Sequence, residues 1–595
     1  MNNTQKASEI ARGNIYASSH NILKIFSRFE QNVSIHAYAL VLFLASILIS
    51  GYVVYSSNQS LQLALVNLLN NPSLYPNDPF GATLPYYASM LWRVVALATQ
   101  VIPLEPLLLT LFLLERLLVI YAAGHLAQTF VPQSKLAVIG AMALFALGIK
   151  PILGGGTLVT SNFEQTGLSV PFFLLATAAF YNSRPILCAV WLAIGFNLNS
   201  MYGTYAITYL GAVFLLDSTY RREWRKWLLY FGLFLLLASP AIWLTISAFG
   251  RKAPDTQLWL IASQVRFPYH LYPLTWSKGD FGKFGVLVFL LVAFLYQNRH
   301  QLQKLFKQGL IWTGVSLLWL LYAFVAAYIA KSPSMLVMHP GRGTDLWYCF
   351  AGIALVSICA TKVEQSKGRM RRSLLVAVFS ASFLIWHPIV GPYIMAVALL
   401  CFTVQPVWYY ILGKGSSSRI ALLLTLWVVL LGFSNFHSRL AKTKSIEAAL
   451  IGRPSPSSLQ IAQWASANTP IEAVFLVDPD WGNFRAIAKR PAFVNWKDGS
   501  AILWDRSFVK PWTERLKIFG LDITQPGLTE EKGRKKLNSL YEKLTDEEVK
   551  RLQSRFPINY WVVPVKHPST FPVAFQNQSY KILNVKSILA QAYKD

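Results

Sequence analysis

The stretch FNLNSMYG, residues 196–203, decides how the chain is threaded. It interrupts the uncharged run 185–216, whose 32 positions, at about 1.5 Å each, are too many for one upright membrane helix and too few for two full spans. Asn197, Asn199, Ser200 and Gly203 favour a turn over a continuous helix, so the run reads as two short helices meeting there. The next segment, TYRREWRK (219–226), is strongly basic. Two crossings put it on the cytoplasmic side, and one crossing would put it outside, against the positive-inside bias.

Working outward, apolar runs lie near 36–57, 104–124, 136–152, 169–183, 227–248, 284–297, 309–330, 346–361, 373–387, 388–411 and 420–436. With the divided run they predict an α-helical polytopic membrane protein of about thirteen spans, N-terminus inside and C-terminus outside. The inner loops then hold Arg221, Arg222, Arg225 and Lys226; Arg299, Lys304 and Lys307; Lys362, Lys367, Arg369, Arg371 and Arg372; and Lys414 and Arg419. The outer loops 58–103 and 153–168 hold Arg93 alone. Loop 249–283 breaks the pattern with Arg251, Lys252, Arg266, Lys278 and Lys283, which marks it as a candidate anion site.

Composition agrees with this threading. The 595 residues are 54% hydrophobic, and 54 Lys and Arg stand against 27 Asp and Glu, a bias suited to cytoplasmic loops and anionic headgroups. No interleaved basic and aromatic surface points to nucleic acid. Cys188, Cys349, Cys359 and Cys401 lie in or beside apolar runs without CxxC spacing, so neither disulfides nor zinc are expected to shape the soluble parts. Residues 1–35, with Lys6, Arg12, Lys24 and Arg28, read as a retained cytoplasmic leader, and 36–436 as the membrane domain. Residues 437–595 read as an extracytoplasmic α/β domain large enough for its own core. AVFLVD (473–478) and NYWVVPVK (559–566) are strand-like there, and 530–555 is helix-like.

Within the first outer loop, SLYPNDPFG (73–81) offers one carboxylate, Asp78, stiffened by Pro76 and Pro79 and flanked by Tyr75 and Phe80. Beside a lipid surface such a carboxylate can take a proton from an acceptor hydroxyl, and it can equally be a turn or cap residue. VRFPYHLYP (265–273) combines Arg266, His270 and Tyr272, a donor set suited to phosphate and sugar or to an interfacial loop. HPGRGTDLWY (339–348) places Arg342 between glycines, with Asp345 as a helix cap or its ion partner. Glu164 is a second acid on the same side. Glu115 and Arg116 lie deep in a span, where a charge costs roughly 3 kcal/mol, and are read as structurally paired with different partners. No metal ligand set or P-loop is recognised; Gly154–Gly156 has no following GK[ST].

The long first outer loop, the YPxDPF motif, the RFPYHLYP stretch, the segment TPIEAVFLVDPDWGNFRAIAKRPAFVNWK (469–497) and the external C-terminal domain resemble the GT-C superfamily of integral membrane glycosyltransferases, and within it an uncharacterised bacterial family. The resemblance implies a sugar transferred from a polyprenyl-phosphate carrier to an acceptor hydroxyl of a saccharide, lipid or protein on the outer face of the bacterial inner membrane. It implies no cofactor. By position Asp78 becomes the catalytic base, Arg266, His270 and Arg342 hold the donor phosphate, and Tyr75, Glu164, Tyr272 and Asp345 are possible substrate contacts. The first loop lacks a DxD or ExD, so a metal-dependent transfer is not implied. The alternative is a transporter or flippase of a lipid-linked saccharide or other amphiphile, which inverted repeats and paired broken helices would favour.

Overall fold

The computed structural model describes residues 34–56, 58–365 and 416–585. The predicted spans 373–387 and 388–411, residues 1–33 of the leader, Cys401 and the basic positions Lys367, Arg369, Arg371, Arg372 and Lys414 lie outside them. Among the described residues, six helices are long and apolar enough to cross a membrane: Leu104–Phe130, Trp224–Phe249, Lys278–Gln297, Gln303–Ile329, Pro333–Gln365 and Ser417–Thr443. Shorter apolar helices are Ile35–Ser50, Lys135–Ala146, Gln165–Tyr181, Pro185–Leu198 and Ser200–Leu216. The chain is an integral, polytopic helical membrane protein with a C-terminal α/β region.

The run 185–216 breaks at one residue. Asn199 closes Pro185–Leu198, and its side chain accepts from the Tyr202 N–H at 3.3 Å, capping Ser200–Leu216. The first run ends sooner than its hydrophobicity suggests, at Ser50, because Gly51 takes φ +63° and turns the chain. Arg439 then donates to the Ile49 and Leu48 carbonyls, at 2.9 and 2.6 Å, satisfying the end of that helix. Tyr52–Val53 (β1) pairs in parallel with Ile451–Gly452 (β2), so the start of the first loop and the start of the C-terminal region are joined.

The C-terminal region begins after the Ser416–Thr443 helix, several residues beyond the expected boundary at 436. Its sheet has the order β3-β4-β6-β5, from Val474–Leu476 (β3), Ile558–Pro564 (β4), Val573–Gln576 (β5) and Tyr580–Asn584 (β6), with β3 and β4 parallel and the rest antiparallel. The helix-like stretch 530–555 divides into Glu530–Glu542 and Asp546–Gln553, because Thr545 and Glu548 form a capping box that starts a new helix.

The C-terminal region has a core of its own and also shares a larger one. A small cluster around Phe475, Phe484 and Ile582 lies wholly within the C-terminal region, between the sheet and the helices Pro456–Asn468 and Phe484–Ala488. The larger one merges Trp496, Trp512 and Trp561 with Tyr75, Phe80, Trp92 and Trp259 of the loops. Trp259 Nε1 donates to the Ile502 carbonyl at 3.0 Å inside this shared core. Loops and C-terminal region fold as one layer over one end of the helical body.

Candidate active site

Between that layer and the helix ends lies a cavity of about 1030 Å³. Among the separated stretches that line it are those carrying Asn58, Glu164, Arg266 with His270, Arg342, and Lys497. Glu164 is the one carboxylate in the described lining, facing the basic side chains Arg116, Arg266, Arg342, Lys497 and Arg506.

These cations are not equivalent. Arg506 donates to the Arg251 and Phe249 carbonyls at 2.7 and 2.6 Å and to the Ser334 hydroxyl. Arg266 is 4% exposed and is engaged by the Trp496 carbonyl at 3.2 Å, Glu530 at 3.3 Å and the Ser500 hydroxyl at 3.4 Å. Both are tied to the scaffold. Arg342, Lys497 and Arg116 have donors to spare: Arg342 makes one looser ion pair with Asp345, at 3.5 Å, and Lys497 one hydrogen bond.

Glu164 stands at the N-cap position of Gln165–Tyr181 without capping it, its carboxylate at the favourable end of the helix dipole. Oε1 accepts from Asn162 Nδ2 at 2.8 Å and Oε2 from Asn58 Nδ2 at 3.3 Å. The Asn58 carbonyl oxygen in turn accepts from Lys497 Nζ at 2.9 Å. Asn58 thus links acid and ammonium without a direct ion pair, leaving lone pairs on the carboxylate for a ligand. Burial, reinforced by the Arg266 charge, brings the Lys497 ammonium down to about 8; Glu164 and Glu530 oppose this.

Arg342 is positioned by a ladder of tyrosines spaced i, i+3 and i+7 on Ser200–Leu216. Tyr202 donates to Asp345, Tyr205 to the Met338 and His339 carbonyls at 2.6 and 2.9 Å, and Tyr209 to the Gly343 carbonyl at 2.8 Å. Asp345 is fully buried, outside the cavity, and serves as partner of Arg342 and Tyr202. The Gly154–Gly156 run slides against this turn: a Cβ on Gly156 would meet Asp345 Oδ2 at 2.8 Å and Arg342 Nε at 3.1 Å. Gly154 also offers its carbonyl to His270 Nδ1 at 2.5 Å. That fixes the proton on Nδ1 and leaves Nε2 as an acceptor. Burial, and then the charge of Arg342, hold the His270 pKa well below the usual histidine range, so the ring is neutral.

Three of the expected residues, one acid and two tyrosines, sit elsewhere. Asp78 does not line the cavity and its side chain is 0% exposed. Oδ2 accepts from Arg485 Nε at 2.7 Å and Oδ1 from the Phe80 N–H at 3.0 Å, while Arg485 also bonds both oxygens of Asp498, at 2.8 and 3.2 Å. Tyr75, at φ +60°, donates to the Arg485 carbonyl at 3.0 Å. Tyr272 is buried against Ser263 and the Leu260 carbonyl, at 2.7 and 3.1 Å. Asp78, Tyr75 and Tyr272 therefore belong to the joint between loops and C-terminal region. Glu164, Arg266, His270 and Arg342 are brought together. Sequence reading passed over Asn58 and took in Lys497 only as the last residue of the segment 469–497, and the spacing of neither points at Glu164.

Fold and cavity together define a polytopic helical membrane protein with a cation-rich cavity closed by its C-terminal region. The family described as Domain of unknown function (DUF6798) matches residues 456–519, the segment that supplies Lys497, Ser500, Trp504 and Arg506 to the cavity. No curated protein matches the chain. Among solved structures it is similar to ArnT from Cupriavidus metallidurans in the apo state, at 11% identity and TM-score 0.41, covering 93% of this chain and 98% of that one. It is also similar to the Archaeoglobus fulgidus oligosaccharyltransferase tethered to an acceptor peptide containing the NVT sequon, at 12% identity and TM-score 0.39, covering 89% and 69%.

Proposed function

We propose that the protein is a membrane glycosyltransferase that moves a sugar from a polyprenyl-phosphate carrier to an acceptor hydroxyl on the extracytoplasmic face, with Glu164 as base. The observation that carries this reading is a single hydrogen-bonded carboxylate facing uncommitted cations inside one cavity at the end of an apolar helical body. The sequence resemblance to GT-C enzymes supplies the donor class, and the basic loop 249–283 sits on the side that charge assigns to the exterior.

In this scheme the acceptor oxygen forms a bond to the anomeric carbon while Glu164 takes its proton. The bond from that carbon to the phosphate oxygen breaks, and the phosphate keeps the electron pair. Arg342 and Lys497 stabilise the charge that grows on the leaving group. Neutral His270, with only an acceptor nitrogen free, suits a sugar hydroxyl better than a phosphate oxygen. Asp78 is assigned to the scaffold, because both of its oxygens are engaged in a dry core.

Transfer of labelled sugar from polyprenyl-phosphate donors by the purified protein in lipid tests the reading. Glu164→Gln should lower turnover by about a hundredfold or more with thermal unfolding unchanged. Wild-type turnover in that variant rejects the base, and no turnover by wild-type protein across lipid-phosphate sugars rejects the donor class.

A further inference from the structure

Arg116 lines the cavity yet has no role in the transfer just described. It lies about 18 Å along the Leu104–Phe130 helix from Leu104, flanked by leucines, and is 1% exposed. Its Nε and Nη2 have no hydrogen-bond partner among the described residues. The guanidinium rests on the Phe112 ring, 4.9 Å from its centroid, so one face is held and the edge with its donors is left over.

The adjacent Glu115 does not take those donors. It projects about 100° around the helix, against Gly167, where a Cβ would come within 2.1 Å of Oε1. Both Glu115 oxygens also lack a hydrogen-bond partner among the described residues. Glu115 and Arg116, expected to be structurally paired with different partners, are instead neighbouring charges without a hydrogen bond between them, and the guanidinium Nε and Nη2 have no acceptor among the described residues. A buried guanidinium in that condition is costly unless an anion reaches it. Arg342 and Lys497 both have Glu164 among their charged neighbours, whereas the charged neighbour of Arg116 is Glu115, so Arg116 forms a separate pole of the cavity.

We propose that Arg116 is an anion-binding residue of the cavity, which takes phosphate-group oxygens of a lipid-linked ligand in the planar, two-donor geometry of its guanidinium. The lipid source rests on the glycosyltransferase reading; the anion site itself rests on Arg116. The buried setting, on an apolar helix with an aromatic floor, fits a phosphate carried on a hydrocarbon chain better than a fully hydrated ion.

The test is binding to the full chain in phosphatidylcholine nanodiscs, followed by thermal unfolding during titration with undecaprenyl phosphate, inorganic phosphate or neutral undecaprenol. Undecaprenyl phosphate should stabilise wild-type protein and undecaprenol should not, and Arg116→Gln should weaken the lipid-phosphate affinity by about tenfold or more. Arg116→Lys, which keeps the charge and lacks the fork, should show a smaller loss, and wild-type affinity in it overturns the proposal even if the Gln variant fails to fold. Stabilisation by inorganic phosphate that depends on Arg116 supports the anion site and assigns it to the free ion. Lipid-phosphate binding that persists in Arg116→Gln but is weakened in Arg342→Gln overturns the Arg116 site and leaves the glycosyltransferase reading standing. No stabilisation of wild-type protein in any arm overturns both.

Discussion

Replacing Asp78 by Asn separates scaffold from chemistry. The carboxylate sits in a buried cluster with Arg485 and Asp498, and the Arg515 charge lies close enough to act on both acids. Two carboxylates thus balance two guanidinium groups, and Arg485 stays firmly protonated because Asp498 and Asp78 outweigh the effect of burial. An asparagine has one acceptor oxygen. It can serve Arg485 Nε or the Phe80 N–H, but turning the oxygen to one aims its amide hydrogens at the other. The substitution also leaves a net positive charge in the core.

Breaking a buried pair outright costs about 3–5 kcal/mol, and losing one charge-assisted hydrogen bond about 1.5–3 kcal/mol. Since Asp498 still holds Nη1 and Nη2 of Arg485, we expect about 2–3 kcal/mol for Asp78→Asn. The assay is the apparent melting temperature in detergent at fixed scan rate, with sugar transfer measured well below it. The expected result is a clear fall in melting temperature with residual turnover per folded molecule. Pairing the change with Arg485→Gln should be less than additive, since both remove the same contact. Unchanged melting together with abolished transfer would refute the clamp and return Asp78 to the reaction.

The remaining expectations concern the cavity. Anion affinity should fall as pH rises through about 8, where Lys497 loses its proton, and Lys497→Arg should flatten that dependence in a lipid-phosphate titration. Folding stability moves the other way: a free lysine titrates near 10.4, so between about 8 and 10.4 the unfolded chain binds more protons and the Lys497 contribution rises with pH, and is lost as pH falls through about 8. Unfolding of wild-type and Lys497→Arg protein across that window checks the sign. Gly156→Ala should displace Arg342 and lower lipid-phosphate affinity several-fold with little change in melting, because the added methyl meets Arg342 and Asp345 rather than backbone. Tyr202→Phe, which removes a hydroxyl from Asp345, should weaken the same affinity and leave the rate of the proposed transfer unchanged when donor is saturating, a KM effect without a kcat effect.

Local signals were legible in the sequence and distant partnerships were not. The break at Asn199 was readable because turn formers interrupt an uncharged run within a few residues. The Glu164, Arg266, His270 and Arg342 stretches were readable as polar groups in loops between apolar runs, though not which of them kept free donors. The burial of Asp78 was not legible because its partner, Arg485, is 407 positions away, and nothing in YPNDPF reveals that guanidinium. The apolar alternation of β3 and β4 showed that the C-terminal region has a hydrophobic face, but not that loop tryptophans cover part of its core. The tyrosines 202, 205 and 209 went unremarked in the sequence, because their role in holding the Arg342 turn depends on residues more than a hundred positions later.

Arg506 fastens the carbonyl end of the Trp224–Phe249 helix, and Lys497 completes the hydrogen-bond chain to Glu164. Both belong to a portion of the chain made after nearly all of the described helices have left the ribosome. The cavity is thus assembled late in biosynthesis, and a nascent protein halted before residue 497 carries Glu164 and the Arg342 turn without the segment that completes the lining. Closure of the cavity is in this way coupled to synthesis of the segment that carries Lys497 and Arg506.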